Sequence, residues 1–284
     1  MAVKKQSVLK KLLSVGGSND GAKKKKTVKK KKAGAAKSSA STGEVPVDKK
    51  RPSAHGAKAL REIEKGRLEL LLEAHKLWIE TKGDSGTRAV LAKTMLKGAY
   101  LQGAMLRGAD LREADLREAE LQNADLFLAD LRGTELHEAK LFGSILKRAK
   151  LDKASLIRAS LAQVDMSEVS MQGADFREAD MREVNLEDGK ARGATLREAN
   201  LFMAEMMNID LGRADLRGAD LKGANLCGAE LRKAQFAQAQ MQGADLMDAD
   251  LRGVDLRDAQ GLQRDQIEEA VTDEKTLLPE GIDD

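Results

Sequence analysis

The residues that could carry acid–base, nucleophilic or metal chemistry are few and far apart in this sequence. Histidines stand at His55, His75 and His137, and Cys227 is the single cysteine. The histidines do not have the spacing of a zinc site, and nothing marks the cysteine as a nucleophile activated by a nearby base. A single cysteine also excludes an internal disulfide and fits a reducing compartment. We therefore expect no catalytic residues, no metal and no cofactor.

Carboxylates are abundant, but their order follows a repeat and does not suggest an acid–base pair. From Leu91 to Leu256 an apolar residue, nearly always Leu or Met, recurs at every fifth position without insertion or deletion. Ala usually stands two residues earlier, Asp, Asn or Glu stands between the two, and two polar or Gly residues follow. A step of five turns a helix by roughly 140°, and an odd step alternates the faces of a flat strand, so neither gathers the leucines. The pattern therefore predicts short extended segments joined by regular corners.

This pattern, A-D/N-L-x-x over residues 89–258, resembles that of the pentapeptide-repeat family. The resemblance implies an all-β fold, a right-handed quadrilateral β-solenoid of about 8 coils with four pentapeptides in each coil. Leu and Ala would fill the interior, and Asp or Asn would bond to nearby backbone as these residues do in turns. With strands about 4.8 Å apart, the rod would be on the order of 40 Å long.

Both ends of such a solenoid need a cap, because the terminal coils expose unpaired backbone groups. Residues 57–83 carry apolar residues at helical spacing, including Trp78, and predict an N-terminal capping helix that ends near Gly83. Residues 259–284 predict a short C-terminal cap, made of a brief helix and an extended tail. Both flanks also resemble those beside other members of the family.

The net charge of +3 conceals a strongly basic N-terminus followed by an acidic remainder. Residues 1–56 predict a disordered Lys-rich tail, because they lack apolar periodicity, and residues 3–14 could form a short amphipathic helix within it. Two lysine runs are candidates for binding an anion, either nucleic acid or an anionic membrane surface. They are Lys23, Lys24, Lys25, Lys26, Lys29, Lys30, Lys31 and Lys32. The alternative is a solvated linker without a ligand.

Apolar residues at corners that are usually polar supply the candidate partner-binding residues. They are Phe202, Met203, Met207, Cys227, Met247 and Phe127. Met207, Cys227 and Met247 are twenty residues apart and would stack in one column, with Phe202 and Met203 on the adjoining corner. An exposed apolar strip often marks a partner site, although scattered tolerance of apolar residues is the alternative.

One coil, residues 139–158, is basic where its neighbours are acidic or balanced. Its cations are a second set of anion-binding candidates: Lys140, Lys147, Arg148, Lys150, Lys153 and Arg158. The alternative is a band of positive charge that neutralises the coils on either side.

These features favour a non-catalytic interaction scaffold in the cytoplasm of a bacterium, peripheral to a membrane or nucleoid. A rigid solenoid would present surfaces to an unidentified protein partner, while the basic tail tethers it to nucleic acid or a membrane. The resemblance also implies a homodimer through a solenoid end, and it implies an alternative function. Some pentapeptide-repeat proteins mimic DNA and bind type II topoisomerases, which they protect from inhibitors. A 40 Å mimic would need on the order of 24 negative charges, whereas acidic and basic residues nearly balance over residues 91–258.

Overall fold

The computed structural model describes residues 60–282 of the chain. The Lys-rich tail, its eight candidate lysines and the predicted amphipathic helix 3–14 lie outside the described residues. The named elements are β1 (Arg61–Glu62), α1 (Lys65–Glu80), β2 (Thr94–Met95) and α2 (Arg264–Glu268). Neither of these two helices has the length and apolar character needed to cross a membrane.

The main body is a ladder of parallel backbone bridges that join residues twenty positions apart. It begins where Val90 pairs with Asp110 and runs to Gln260, which pairs with Gln240. One coil therefore takes four pentapeptides. Within each unit the central residue donates its N–H to the next coil, as Leu111 does to the Asp130 carbonyl at 2.8 Å. The extended segments and regular corners that the repeat predicts thus form a β-solenoid.

Each corner is a tight turn whose third residue has a positive φ. At one corner the Ala109 N–H donates to the Leu106 carbonyl at 2.9 Å. The third residue of this turn, Gly108, has φ +65° and donates its own N–H to the Phe127 carbonyl of the next coil at 2.7 Å. Other residues also adopt this conformation, such as Glu198 at φ +58°. The left-handed region costs a non-glycine residue roughly 1–2 kcal/mol, and the same inter-coil hydrogen bond offsets that cost.

The interior consists of the central Leu or Met of each unit and the Ala two residues before it, almost all fully buried. Phe176 and Phe236 lie in one column, as their spacing predicts, and both are buried. The unit with the smallest interior side chains contains Gly189 and Ala191. Ile209 of the next coil fills the space beside Gly189, with its Cδ1 3.6 Å from where a Cβ would lie. A larger side chain of the next coil thus fills the space that the small residues of this unit leave.

The N-terminal end is closed by both β1 and α1. β1 pairs in parallel with β2, Arg61 opposite Thr94, and so adds backbone to the edge of the first coil. The sequence of α1 is rich in the strong helix formers Leu, Glu and Lys. It buries three side chains: Ala74, His75 and Trp78. The helix predicted over residues 57–83 is therefore corrected to 65–80, because residues 61–62 pair with the open edge of the coil.

The C-terminal end is closed by α2 and two extended segments. The Gln266 side-chain amide donates to the carbonyls of Met241 and Ala244, at 3.0 and 2.6 Å, and so satisfies backbone acceptors of the last coil. Val271 and Leu277 then extend the ladder by pairing with residues of the preceding coil. Within the segment 259–284 the order is a helix followed by extended chain, and residues 259–260 still belong to the ladder.

His75 is fully buried between α1 and the first coil. Its Nδ1 accepts the Ala89 N–H at 3.0 Å, and its ring stacks on Trp78 with the ring centroids 5.4 Å apart. Burial removes water from the charged form and the Arg88 guanidinium repels it, so the pKa of His75 falls from 6.5 to about 4. The folded protein therefore holds this imidazole neutral.

We expect the protein to lose stability as the pH falls from 6.5 towards 4. In that window the unfolded chain binds a proton on His75 and the folded chain does not, so acid favours unfolding by about 3 kcal/mol in total. Above pH 6.5 the imidazole is neutral in both states and this destabilisation is absent, whereas below pH 4 it has reached its full size. The measurement is the free energy of unfolding in denaturant at pH 7 and pH 4.5. A His75→Gln variant keeps an acceptor for the Ala89 N–H, and its free energy of unfolding should change less between the two pH values. An equal change in the variant and the wild type would show that His75 is not the group responsible.

Candidate protein-docking surface

The four sides of the solenoid differ in the chemistry of their outward residues. We name them the 201, 206, 211 and 216 faces after the central residues of one coil: Leu201, Met206, Leu211 and Leu216. Each corner is counted with the strand that precedes it. On every face the residue between Ala and the central residue points outward together with the two corner residues. These three positions decide what a partner would meet.

An Asp-x-Arg unit that neutralises itself recurs on the 211 and 216 faces, and one such unit, Asp180–Arg182, lies on the 201 face. Asp215 Oδ1 accepts the backbone N–H and the Nε–H of Arg217, at 3.3 and 2.8 Å, while its Oδ2 accepts from Nη2 at 2.6 Å. This hydrogen-bonded guanidinium holds the pKa of Asp215 below its usual range. The same fork recurs at Asp110–Arg112, Asp115–Arg117, Asp130–Arg132, Asp175–Arg177, Asp250–Arg252 and Asp255–Arg257.

The 206 face lacks this arginine over its later coils. The first corner position there is occupied by Glu187, Met207, Cys227 and Met247. Five carboxylates on this face form no ion pair with any residue between 60 and 282: Glu187, Asp188, Glu205, Asp245 and Asp248. The replacement of arginine therefore exposes apolar side chains and leaves negative charge uncompensated at the same place.

We call Phe202, Met203, Met207, Cys227 and Met247 the apolar strip, and it lies along the two edges of the 206 face. The last three stack in one column, since the residues after Met207 and Cys227 donate their N–H groups to the Cys227 and Met247 carbonyls at 2.9 and 2.8 Å. Phe202 and Met203 occupy the corner at the other edge. Phe202, Met203 and Met247 are 40%, 53% and 45% exposed, while Met207 and Cys227 are half-buried.

The thiol of Cys227 belongs to this strip as an apolar group. Burial raises its pKa, and the nearby carboxylates of Asp245 and Asp248 raise it further. Nucleophilic cysteines need the opposite, a lowered pKa beside a cation. The environment of Cys227 therefore favours the neutral, unreactive form.

Phe127 lies apart from the strip. It stands in the same column as Met207, but four coils earlier, and the Arg107 guanidinium lies 5.0 Å from its ring centroid. Phe142 and Ile145, on the following coil, are also exposed, and neither is among the partner-binding residues predicted from the sequence. Ile145 occupies a mid-strand position where the repeat usually places Asp or Asn, and that departure was the available signal.

The cations of the basic coil 139–158 do not form one patch. They emerge on all four faces, from Lys140 on the 201 face to Arg158 on the 216 face, and Lys150 and Lys153 lie on the 211 face. Four of them pair with carboxylates of adjacent coils: Lys140 with Glu120 at 3.0 Å, Lys147 and Arg148 with Glu168 at 3.4 and 3.1 Å, and Arg158 with Glu178 at 2.8 Å. This arrangement favours the neutralising band over a single anion-binding site.

His137 takes part in one surface cluster that resembles a catalytic arrangement. Its Nε2 is within hydrogen-bonding distance of both Ser155 Oγ and Glu135 Oε2. In a nucleophile–base–acid relay the serine and the carboxylate bond to different ring nitrogens, so this cluster lacks that geometry. Over residues 60–282 no group of His, Cys, Asp and Glu could hold a metal ion.

Comparison with known proteins identifies the repeat. The family model for pentapeptide repeats matches in 8 copies, over residues 96–133, 109–148, 144–182, 179–218, 209–246 and 229–260. A comparison with curated proteins found no match.

Solved structures similar to this chain include the following two. HetL, a pentapeptide repeat protein involved in heterocyst differentiation regulation from the cyanobacterium Nostoc sp. strain PCC 7120, is 29% identical with a TM-score of 0.52, over 76% of this chain and 93% of HetL. A trypsin-treated form of QnrB1, a plasmid-mediated fluoroquinolone resistance protein, is 19% identical with a TM-score of 0.52, over 68% of this chain and 91% of QnrB1. At that identity the likeness to QnrB1 concerns the fold alone.

Proposed function

Because this chain belongs to the pentapeptide-repeat family, we propose that it is a non-catalytic interaction protein, a right-handed rod of about eight coils that presents the apolar strip to a protein partner. The observation that carries this proposal is the contrast between faces. Self-neutralised Asp–Arg forks recur on the 211 and 216 faces, whereas Phe202, Met203 and Met247 lie exposed along the two edges of the 206 face. Apolar side chains gathered on one side of a soluble surface are typical of a docking site.

The experiment is recovery of a partner from cell extract with the double variant Met207→Glu, Met247→Glu. Two charges placed in the strip should lower recovery at least tenfold, because burying an unpaired carboxylate in an apolar interface is costly. The matched control is Gln172→Glu with Ala237→Glu, which places the same charges at the same corner position of the 211 and 216 faces. Both variants should keep the wild-type melting temperature. Unchanged recovery with the strip variant would remove this surface as the docking site.

We propose in addition that the Lys-rich residues 1–56 tether the rod to an anionic partner in the bacterial cytoplasm, at the nucleoid or a membrane surface. The support is the lysine content of this segment. Binding driven by lysines weakens steeply with salt. Titration of the full chain with duplex DNA and with anionic vesicles over a salt series separates the two ligands.

Self-association through a solenoid end would be best served by the first coil. Three of its outward mid-strand residues are apolar and exposed: Val90, Met95 and Tyr100. A groove of about 580 Å³ beside them, between α1 and this coil, is lined in part by Leu68 and Leu72. We propose this end as the dimer contact, because exposed apolar side chains lie there beside a groove.

The alternative function, a DNA mimic that modulates or protects a type II topoisomerase, has weaker support. Asp–Arg forks neutralise part of the 211 and 216 faces, and five carboxylates without an ion pair among the described residues lie on the later coils of the 206 face. Those coils span roughly 20 Å, where duplex DNA would carry about 12 charges. Apolar side chains also interrupt the charge on this face, unlike the surface of a nucleic acid.

A further inference from the structure

We propose that the 206 face binds a basic amphipathic helix of the partner protein, with leucine-type side chains on one side flanked by lysine or arginine. This inference rests on the proposed function and specifies the chemistry of the partner. It follows from three properties of the face: its charge, its backbone and its spacing.

The charge of the 206 face calls for a cationic partner. From residue 165 to residue 248 this face carries no lysine or arginine. Asp245 accepts the Met247 N–H at 3.0 Å, and Glu205 accepts the Asn225 side-chain amide at 2.9 Å, but neither has a cation beside it within the described chain. A partner that buried the methionines without supplying cations would desolvate these carboxylates uncompensated. Lysine or arginine beside the apolar contact removes that cost.

The backbone of this face excludes an added strand as the binding mode. N–H groups and carbonyls of the 206 strands are paired from coil to coil, as in the bond from Glu205 N–H to the Val184 carbonyl at 2.9 Å and from Met206 N–H to the Asn225 carbonyl at 2.8 Å. Strand addition needs a free edge. Recognition on this face must therefore use side chains.

The spacing of the strip matches a helix laid along the rod. Met207, Cys227 and Met247 follow one another at about 4.8 Å, the distance between neighbouring strands. Residues on one side of an α-helix recur every turn, at about 5.4 Å, so three successive apolar residues stay in step with three coils. A helix is about 10–12 Å across with its side chains, and three extended residues make the face roughly 10 Å wide. One helix would thus contact the Met column and reach Phe202 and Met203.

The test is binding of a fluorescent 15-residue peptide to the full-length protein at moderate salt. The peptide has leucines at helical i, i+3, i+4 and i+7 spacing and lysines elsewhere, and its match has the same composition with the leucines scrambled. Residues 3–14 of this chain have a composition similar to that of the peptide and could compete with it for the face. The titrations are therefore repeated with the double variant Leu12→Asp, Leu13→Asp, which disrupts the apolar side of that segment. We expect saturable binding of the first peptide at least tenfold tighter than of the scrambled one. Alkylation of Cys227 should slow at least threefold when the peptide is bound.

Two pairs of substitutions test the two chemistries of the face. Asp245→Lys with Asp248→Lys, and separately Met207→Gln with Met247→Gln, should each weaken peptide binding at least tenfold. The control pair, Glu198→Lys with Asp258→Lys, reverses the same charge on the 216 face and should change binding less than twofold. Equal binding of both peptides, or equal effects of the strip and control pairs, would overturn the inference. If the partner from extract is lost with Met207→Glu, Met247→Glu but retained with Asp245→Lys, Asp248→Lys, the strip docks a partner of other chemistry, and the proposed function stands without this inference.

Discussion

Replacing Gly86 with alanine should detach α1 from the first coil and destabilise the protein by more than about 3 kcal/mol. Gly86 has φ +78°, and an added Cβ would lie 2.2 Å from the Ala74 carbonyl oxygen and 2.6 Å from the Trp78 nitrogen. Both are backbone atoms of α1, so no side-chain rotation can relieve the overlap. The Thr87 N–H also donates to the Ala74 carbonyl at 3.1 Å, and this hydrogen bond would be lost with the contact.

The matched control is Gly103→Ala, since Gly103 has a similar φ of +65° but nothing within 4 Å of its Cβ position. It should cost only the left-handed conformation, roughly 1–2 kcal/mol. Trp78 is the single tryptophan and is buried, so its fluorescence reports whether the cap is seated. Gly86→Ala should shift the Trp78 emission to longer wavelength under native conditions, and Gly103→Ala should leave it unchanged. Equal stability losses and equal spectra in the two variants would show that α1 tolerates the contact.

Replacing Phe176 with alanine should lower the free energy of unfolding by about 3–5 kcal/mol. Phe176 is fully buried, and its neighbours above and below in the column are held by backbone ladders that leave the coils little room to collapse into the cavity. Because each coil of a solenoid is stabilised mainly by the coils next to it, the loss at one coil weakens the whole array. Denaturant unfolding monitored by circular dichroism measures the change.

Phe202 provides the comparison, because it is 40% exposed at a corner of the same solenoid. Phe202→Ala should cost less than about 1 kcal/mol, as expected for a surface position. Both variants delete the same side-chain atoms, so the difference between their losses in the free energy of unfolding measures the contribution of burial. If Phe202→Ala lowered the free energy of unfolding as much as Phe176→Ala does, the apolar strip would be needed for the stability of the rod. Its exposure would then be no evidence for a docking site.

The repeat determined most of the fold, because an uninterrupted period of five places every residue. Which residues face inward, and which outward residues stack twenty apart, follow from that period, as the columns of Phe176 with Phe236 and of Met207 with Met247 illustrate. The start of α1 could not be read in this way. Residues 61–62 have no intrinsic preference strong enough to predict a strand, and they are extended because the first coil offers an unpaired edge.

The sites were predicted less completely, because their character depends on neighbours across coils. Counting charge along residues 139–158 suggested one basic belt, but Lys140 and Arg158 face different sides and pair with Glu120 and Glu178 of adjacent coils. Similarly, the apolar corner residues could be identified from the sequence. The carboxylates beside them could be recognised as unpaired only once the ion pairs on all four faces were known. In this solenoid the net charge that a partner would meet has to be counted along each face, and not along the sequence of one coil.

Because the twenty-residue register is uninterrupted, the number of pentapeptides before a surface determines the direction in which that surface faces around the rod axis. Each added pentapeptide turns everything beyond it by a quarter of a revolution, and each added set of four advances it by about 4.8 Å without rotation. A deletion of five residues before Gly189 would swing the apolar strip to another side of the cap while leaving every residue of the strip intact. Gain or loss of whole repeats can therefore redirect the surface around the axis or slide it along the axis, with no change to its chemistry.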